Sequence, residues 1–168
     1  GKLYATYTET LARDMGRLCR QADVIVPNLT EAAILLEASY REQPSFPQVE
    51  AMLRALHKRY GCRQAVITGI LRDGLLGAAA YDAQRDCVFF HGRPPMDHVF
   101  YGTGDVLASA LLAGLMRGRS LSQATTLAVD FTYQSMLHTL DNGLPLRYGV
   151  AFEQALPMLV RSLESNAC

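Results

Sequence analysis

Two short runs, Val24-Ile25-Val26 and Ala65-Val66-Ile67-Thr68-Gly69, set the terms for the fold. Neither alternates apolar with polar residues, which is the pattern of strands covered by helices on both faces. Apolar residues at helical spacing surround them: Leu11, Met15 and Leu18 ahead of the first, then Val49, Met52, Leu53 and Leu56 between the two. Strand–helix alternation of this kind predicts an α/β layered fold with a mainly parallel sheet flanked by helices. Helices are expected over 8–19, from Glu31 through Leu36, over about 47–59 behind a Ser45 N-cap, over 120–139 and over about 151–163. Two further apolar runs, 75–81 and 87–91, joined by 82–86, read as a β-hairpin. Polar, proline-punctuated 38–46 reads as a surface loop.

Val99-Phe100-Tyr101-Gly102-Thr103-Gly104-Asp105 then runs into the Ala/Leu-rich stretch that ends at Arg117. Val99 to Tyr101 read as the end of an extended segment. Gly102 and Gly104 would let the backbone turn tightly and approach a ligand without a Cβ in the way. Asp105 falls in the first turn of the helix, where the dipole favours a carboxylate. The free amides of Gly102, Thr103 and Gly104 would form an anion pocket. A carboxylate beside such a pocket suits transfer of a phosphoryl group to a hydroxyl: the amides hold charge and the acid takes the proton. A helix cap is the structural alternative for the same four residues. Three polar groups follow strands: Asn28 with Glu31, Thr68 with Gly69, and Gly102 to Asp105. Ligands in α/β sheets sit at the carboxyl ends of strands, so the three groups are expected to converge on one edge.

Composition excludes several classes. With 168 residues, 49% of them hydrophobic, the chain can bury a core and reads as one globular domain. Sixteen basic and sixteen acidic residues cancel, and no basic stripe with interleaved aromatics supports nucleic-acid binding. No apolar run has the length of a membrane span, and the N-terminus does not read as a signal peptide. Cys19, Cys62, Cys87 and Cys168 stand far apart, which suits reduced thiols in a cytoplasmic protein. His57, His91, His98 and His138 show no metal-ligand spacing, and no Gly-x-x-x-x-Gly-Lys-Ser/Thr element is present.

Taken together, these residues resemble the ribokinase superfamily and, within it, the pyridoxal, pyridoxine and pyridoxamine kinase group. Val26-Pro27-Asn28-Leu29-Thr30-Glu31 is similar to the superfamily's Asn-x-x-Glu element, which helps place magnesium and phosphate. Val66-Ile67-Thr68-Gly69 is similar to the strand end that contacts nucleotide phosphates, and Gly102-Thr103-Gly104-Asp105 to the anion hole with its catalytic base. Gly149-Val150-Ala151-Phe152-Glu153, with Leu156-Pro157, resembles the C-terminal region of the bacterial enzymes. Sugar kinases of the superfamily usually carry Ala where Thr103 stands, and many hydroxymethylpyrimidine phosphate kinases carry Cys where Asp105 stands. Thr103 with Asp105 therefore favours a B6-vitamer kinase by family pattern.

The resemblance implies a ribokinase-like layered fold in which 1–168 is the C-terminal, ATP- and phosphate-binding portion. Gly1-Lys2-Leu3-Tyr4 resembles a segment near the middle of the usual chain, so an N-terminal part with most of the vitamin-binding surface is expected to be missing. The implied reaction is ATP-dependent phosphorylation of the 5′-hydroxymethyl group of a B6 vitamer. Asp105 would be the base, Gly102, Thr103 and Gly104 the anion hole, and Asn28, Glu31, Thr68 and Gly69 the nucleotide-binding residues. Glu31 would act through Mg²⁺ by way of water, and the resemblance also allows a monovalent cation. Implied partners are the vitamer and ATP, in a cytoplasmic protein that is a homodimer at full length, with no nucleic acid and no membrane. Each residue also has a plain structural role open to it: Glu31 as an exposed first-turn residue, Asn28 as a turn residue, Thr68 as a strand residue. The alternatives are a hydroxymethylpyrimidine kinase and an inactive nucleotide-binding fragment.

Overall fold

A computed structural model describes residues 9–165. They fall into two compact units, one ending at Phe90 and the other beginning at His91. The expected helix start at Thr8, the Gly1–Tyr4 resemblance and Cys168 lie outside the described residues.

Up to Arg93, helices α1 (Glu9–Cys19), α2 (Leu29–Leu35) and α3 (Phe46–Tyr60) accompany a sheet of β1 (Val24–Ile25), β2 (Gln64–Arg72), β3 (Leu75–Asp82) and β4 (Cys87–Arg93) in the order β1-β2-β3-β4, the last three residues of β4 being counted with the second unit. The α/β layering expected from the strand–helix alternation is present. β1 and β2 run parallel, with Val24 opposite Gln64 and Ile25 opposite Ala65, whereas β2 and β3 are antiparallel. The reason is local. β2 does not stop at Gly69 but continues to Arg72, and Asp73 and Gly74, at φ +50° and +78°, reverse the chain. Two successive positive φ angles make the tight turn whose twist matches the flanking strands, and Asp-Gly is its common sequence.

α3 delivers the core. Ser45 caps it with Gln48 at the third helical position, Pro47 sits in its first turn and Gly61 ends it at φ +75°. Val49, Leu53, Leu56 and Tyr60 are buried against Ile25, Ala65, Ile67, Ile70, Ala79 and Tyr81. Burying a Leu or Val side chain contributes roughly 1.5–3 kcal/mol, so this helix and the strands stabilise one another by packing rather than by propensity. α1 departs from expectation. Its stripe of Leu11, Met15 and Leu18 is 44%, 36% and 63% exposed. The buried face is instead at Gly16, where a Cβ would stand 3.3 Å from the Tyr60 ring.

The second unit is helical: α4 (Thr103–Met116), α5 (Leu121–Asp141) and α6 (Leu156–Glu164), with single 3₁₀ turns at Leu146–Tyr148 and Phe152–Ala155. Gly114 brings α4 and α5 together; a Cβ there would lie 3.0 Å from the Ala124 Cβ, tighter than an ordinary contact unless the neighbour gives by a few tenths of an ångström. Ser120 and Gln123 box the start of α5. The closing helix begins at Leu156 rather than near Ala151. Pro157, which has no N–H to place in a helical ladder, sits in its first turn, and the residues before it wind as a 3₁₀ turn. Val99, Phe100 and Tyr101 form no strand, and Val99 is 74% exposed. Among the described residues no helix is long and apolar enough to cross a membrane.

Candidate active site

The turn after β1 is closed by reciprocal hydrogen bonds. Asn28 Oδ1 accepts from the Glu31 amide, and Glu31 Oε2 accepts from the Asn28 amide, each at 2.9 Å. This capping box satisfies two of the donors that the start of α2 would otherwise leave open. Pro27 continues the parallel pairing, its carbonyl accepting from the Thr68 amide at 3.0 Å, and Asn28 bridges Thr68 in parallel register. Thr68 is opposite Ala78 while Ile70 is opposite Gly77, so Gly69 is the extra residue of a bulge. Its φ is +76°, and a Cβ there would meet nothing within 4 Å. A bulge re-aims the strand and interrupts its ladder, and here it leaves Gly69 exposed beside Thr68. Asn28, Glu31, Thr68 and Gly69 are thus brought together in the first unit, at the end of the parallel pair. The capping role open to Asn28 and Glu31 is present in the structure.

Among the described residues, no group of three His, Cys, Asp or Glu side chains is placed to hold a metal ion. Mg²⁺ commonly binds through one or two carboxylates together with waters and substrate phosphates. The exposed Glu31 carboxylate, with one oxygen engaged in the cap, fits that mode and not a protein cage.

In the second unit, Gly102 is the N-cap of α4 and turns the chain at φ +75°. The helical ladder begins with the Val106 amide donating to the Gly102 carbonyl at 3.1 Å. The amides of Thr103, Gly104 and Asp105 therefore have no intrahelical acceptor, and no side chain caps them. The sequence expectation is corrected in two ways. Only Gly102 makes the left-handed turn: Gly104 lies inside the first turn of α4, without positive φ, and a Cβ there would meet nothing within 4 Å. The helix also begins at Thr103, so the Asp105 amide belongs with those of Thr103 and Gly104. Asp105 and Gly104 are both exposed. The helix dipole adds a partial positive charge at this end.

Two features of this unit were not read from sequence. Gly149, at φ +99°, lies against the Gly102 turn: a Cβ on Gly102 would be 3.9 Å from the Gly149 Cα. The segment after it is tied to α5, where the Thr139 hydroxyl accepts from the Ala151 amide at 2.8 Å. The available signal was a row of hydroxyl residues, Thr125, Thr132, Ser135 and Thr139, on the otherwise apolar face of a long helix. The second feature is an ion cluster. His91 Nε2 lies 2.7 Å from Asp130 Oδ1, to which Arg93 Nε donates at 2.8 Å. Burial works to raise the Asp130 carboxyl, but the hydrogen bonds from Arg93 and His91 outweigh it and hold it below the usual carboxylate value.

No curated protein matches the chain. Among solved structures, a Bacteroides thetaiotaomicron protein named as a phosphomethylpyrimidine kinase, in a crystal form with pyridoxal, is 30% identical at a TM-score of 0.88, covering 95% of this chain and 56% of its own. Pyridoxal kinase from Lactobacillus plantarum is 31% identical with a TM-score of 0.86, covering 99% of this chain and 59% of its own. Pyridoxal kinase from Bacillus subtilis, in an ADP complex, shares the fold at 23% identity and a TM-score of 0.65, over 76% of this chain and 48% of its own. The chain thus spans between 48% and 59% of the length of these three relatives. The family described as phosphomethylpyrimidine kinase matches residues 5–147, and the neighbours carry the same ribokinase-like fold. The chain belongs to the phosphomethylpyrimidine kinase family, in the ribokinase-like superfamily with the pyridoxal kinases.

Proposed function

We propose that this chain carries the phosphate-handling machinery of a kinase that transfers the γ-phosphoryl group of ATP to the 5′-hydroxymethyl group of pyridoxal, pyridoxine or pyridoxamine. One observation carries the reading. The exposed Asp105 carboxylate stands in the first turn of α4, on the same turn as three amides without an intrahelical acceptor. Phosphoryl transfer asks for positioning and charge neutralisation more than for covalent chemistry. Asp105 accepts the proton of the acceptor hydroxyl as its oxygen bonds to the γ-phosphorus, and the bond to the ADP oxygen breaks. The amides of Gly102, Thr103 and Gly104, joined by that of Asp105, steady the negative charge of the transferring group. Thr68 and Gly69 contact nucleotide phosphates, at a bulge where backbone is open to a ligand. Glu31, held by its cap with Asn28, would hold Mg²⁺ through water, and the ion would supply neutralisation of the phosphate charge.

The vitamer assignment draws on Thr103 with Asp105 and on the pyridoxal in the crystal of the Bacteroides relative. ATP as co-substrate is supported by the ADP complex of the Bacillus subtilis enzyme on the same fold. A cytoplasmic setting suits Cys19, Cys62 and Cys87, which are free thiols. The full-length form is proposed to be a homodimer. Hydroxymethylpyrimidine is the competing acceptor, since it too would present a hydroxymethyl group to this machinery, and the matching family is described as phosphomethylpyrimidine kinase.

The test is ATP consumption coupled to product formation over a panel of the three vitamers and hydroxymethylpyrimidine, with Asp105→Asn beside the wild type. Vitamer-dependent turnover that falls by about 10²–10⁴-fold in the variant, with nucleotide affinity kept, is the expected result. Turnover confined to hydroxymethylpyrimidine would reassign the acceptor. ATP binding without transfer to any acceptor would make the chain a nucleotide-binding fragment.

A further inference from the structure

Thr139 lies near the C-terminal end of α5 and anchors the segment that lies against Gly102. Its side chain is fully buried on α5. The hydroxyl donates to the Ser135 carbonyl at 2.7 Å and accepts from the Ala151 amide at 2.8 Å. The first bond fixes the hydroxyl's direction, since one proton has one place to go. The oxygen lone pair is then aimed at Ala151. Val150 and Ala151 are buried with it, so an Ala151 amide without that partner would be an unsatisfied buried donor.

The segment so held ends at Gly149, which at φ +99° approaches the turn from behind. A Cβ on Gly102 would lie 3.9 Å from the Gly149 Cα, and a Cβ on Gly149 would lie 3.9 Å from the Tyr101 carbonyl oxygen. Gly102 in turn fixes the direction of the Thr103, Gly104 and Asp105 amides. We infer that Thr139 is a positioning residue for this amide cradle: its hydroxyl sets Ala151, Ala151 sets Gly149, and Gly149 backs the Gly102 turn. The inference deepens the proposed kinase reading and rests on it for the ligand, an anionic phosphate group. The geometry itself does not depend on that ligand.

Thr132 is a built-in control. It is buried on the same helix and its hydroxyl donates to the Ala128 carbonyl at 2.8 Å, the same kind of back-bond, but it holds no loop. The experiment compares Thr139→Val, Thr139→Ser and Thr132→Val by hydrogen–deuterium exchange over 100–106 and by calorimetric affinity for Mg²⁺-ATP. Thr139→Val should speed exchange in 100–106 and weaken ATP binding about 5–10-fold, the worth of one lost hydrogen bond. Thr139→Ser, which keeps the hydroxyl, should restore both, and Thr132→Val should change neither beyond its effect on global stability. Unchanged exchange over 100–106 in Thr139→Val, or equal change in Thr132→Val, overturns the inference. If the wild type binds no ATP while exchange still responds to Thr139 alone, the positioning role stands and the kinase reading falls.

Discussion

Gly102 and Gly104 look interchangeable in sequence and are not. Gly102 occupies left-handed backbone at φ +75°, where a side chain costs roughly 1–2 kcal/mol. Gly104 lies in the first turn of α4 with open space where a Cβ would go, so Ala there removes unfolded-state freedom without strain and stabilises by about 0.4–1 kcal/mol. The two substitutions should therefore have opposite signs on stability and the same sign on ligand binding. Gly102→Ala should lower the Tm and Gly104→Ala raise it, while both weaken Mg²⁺-ATP binding, the second because its new methyl projects where phosphate must approach. Thermal melts and calorimetry on the two variants check this; unchanged ATP affinity in Gly104→Ala would move the phosphate away from that turn. At this scale the sequence was informative about identity and less so about conformation. Gly-x-Gly-Asp marked the start of a helix, but which glycine turns the chain depends on where that helix begins. The Asn28–Glu31 spacing shows the converse: three residues apart, it satisfies a capping box on its own.

Among the elements, the long strands were legible in kind and not in extent. Glycine at position 69 reads as a strand end, because a strand interior seldom has a use for it. The structure instead absorbs it as a bulge and carries β2 on to Arg72. The β2–β3 turn was not expected, although Asp73-Gly74 is a common sequence for it. The Ala78-Ala79-Ala80 run of β3, made of strong helix formers, is a strand because its place in the sheet outweighs propensity. The charged cluster within the second unit could not be read at all, since His91 and Arg93 meet Asp130 across 39 and 37 residues. Its consequence is a pH dependence. Asp130 is held ionised below the usual carboxylate value, so its contribution is fully present above the unfolded pKa of about 3.9 and is lost as pH falls through the lower folded value. Asp130→Asn should cost about 1–3 kcal/mol near neutral pH, the penalty for stranding the charged Arg93 donor. That difference should shrink as the melt is repeated in acid. A gap between wild type and variant that stays constant from pH 6 to pH 3 would remove the ionised cluster as its source.

For the molecule as a whole, the class was legible because three motifs tens of residues apart each follow a predicted strand or its approach, and the family match agrees with that class. Division into two compact units was not legible, since no linker composition marks the change at residue 90. The integrity of the first unit can be followed through one core atom. Cys62 is 1% exposed, within the cluster formed by α3 and the sheet, and burial pushes its thiol up to about 11. The thiolate is the nucleophile, so in the folded protein near pH 8 this cysteine is both covered and almost wholly protonated. Cys87, by contrast, is exposed. A disulfide reagent at pH 8 should therefore label Cys87 at once and Cys62 only as the unit opens, with a rate that rises with denaturant. The same burial gives a sign for alkaline pH. The unfolded thiol loses its proton near its ordinary value of 9.0 and the folded one near 11, so the folded state holds more protons between them. Stability from this group is complete below pH 9 and declines as pH rises toward 11, and Cys62→Ala should show a shallower decline. Immediate labelling of Cys62 in the native protein, traced by mass spectrometry of its peptide, would mean that the core around α3 is not closed in solution.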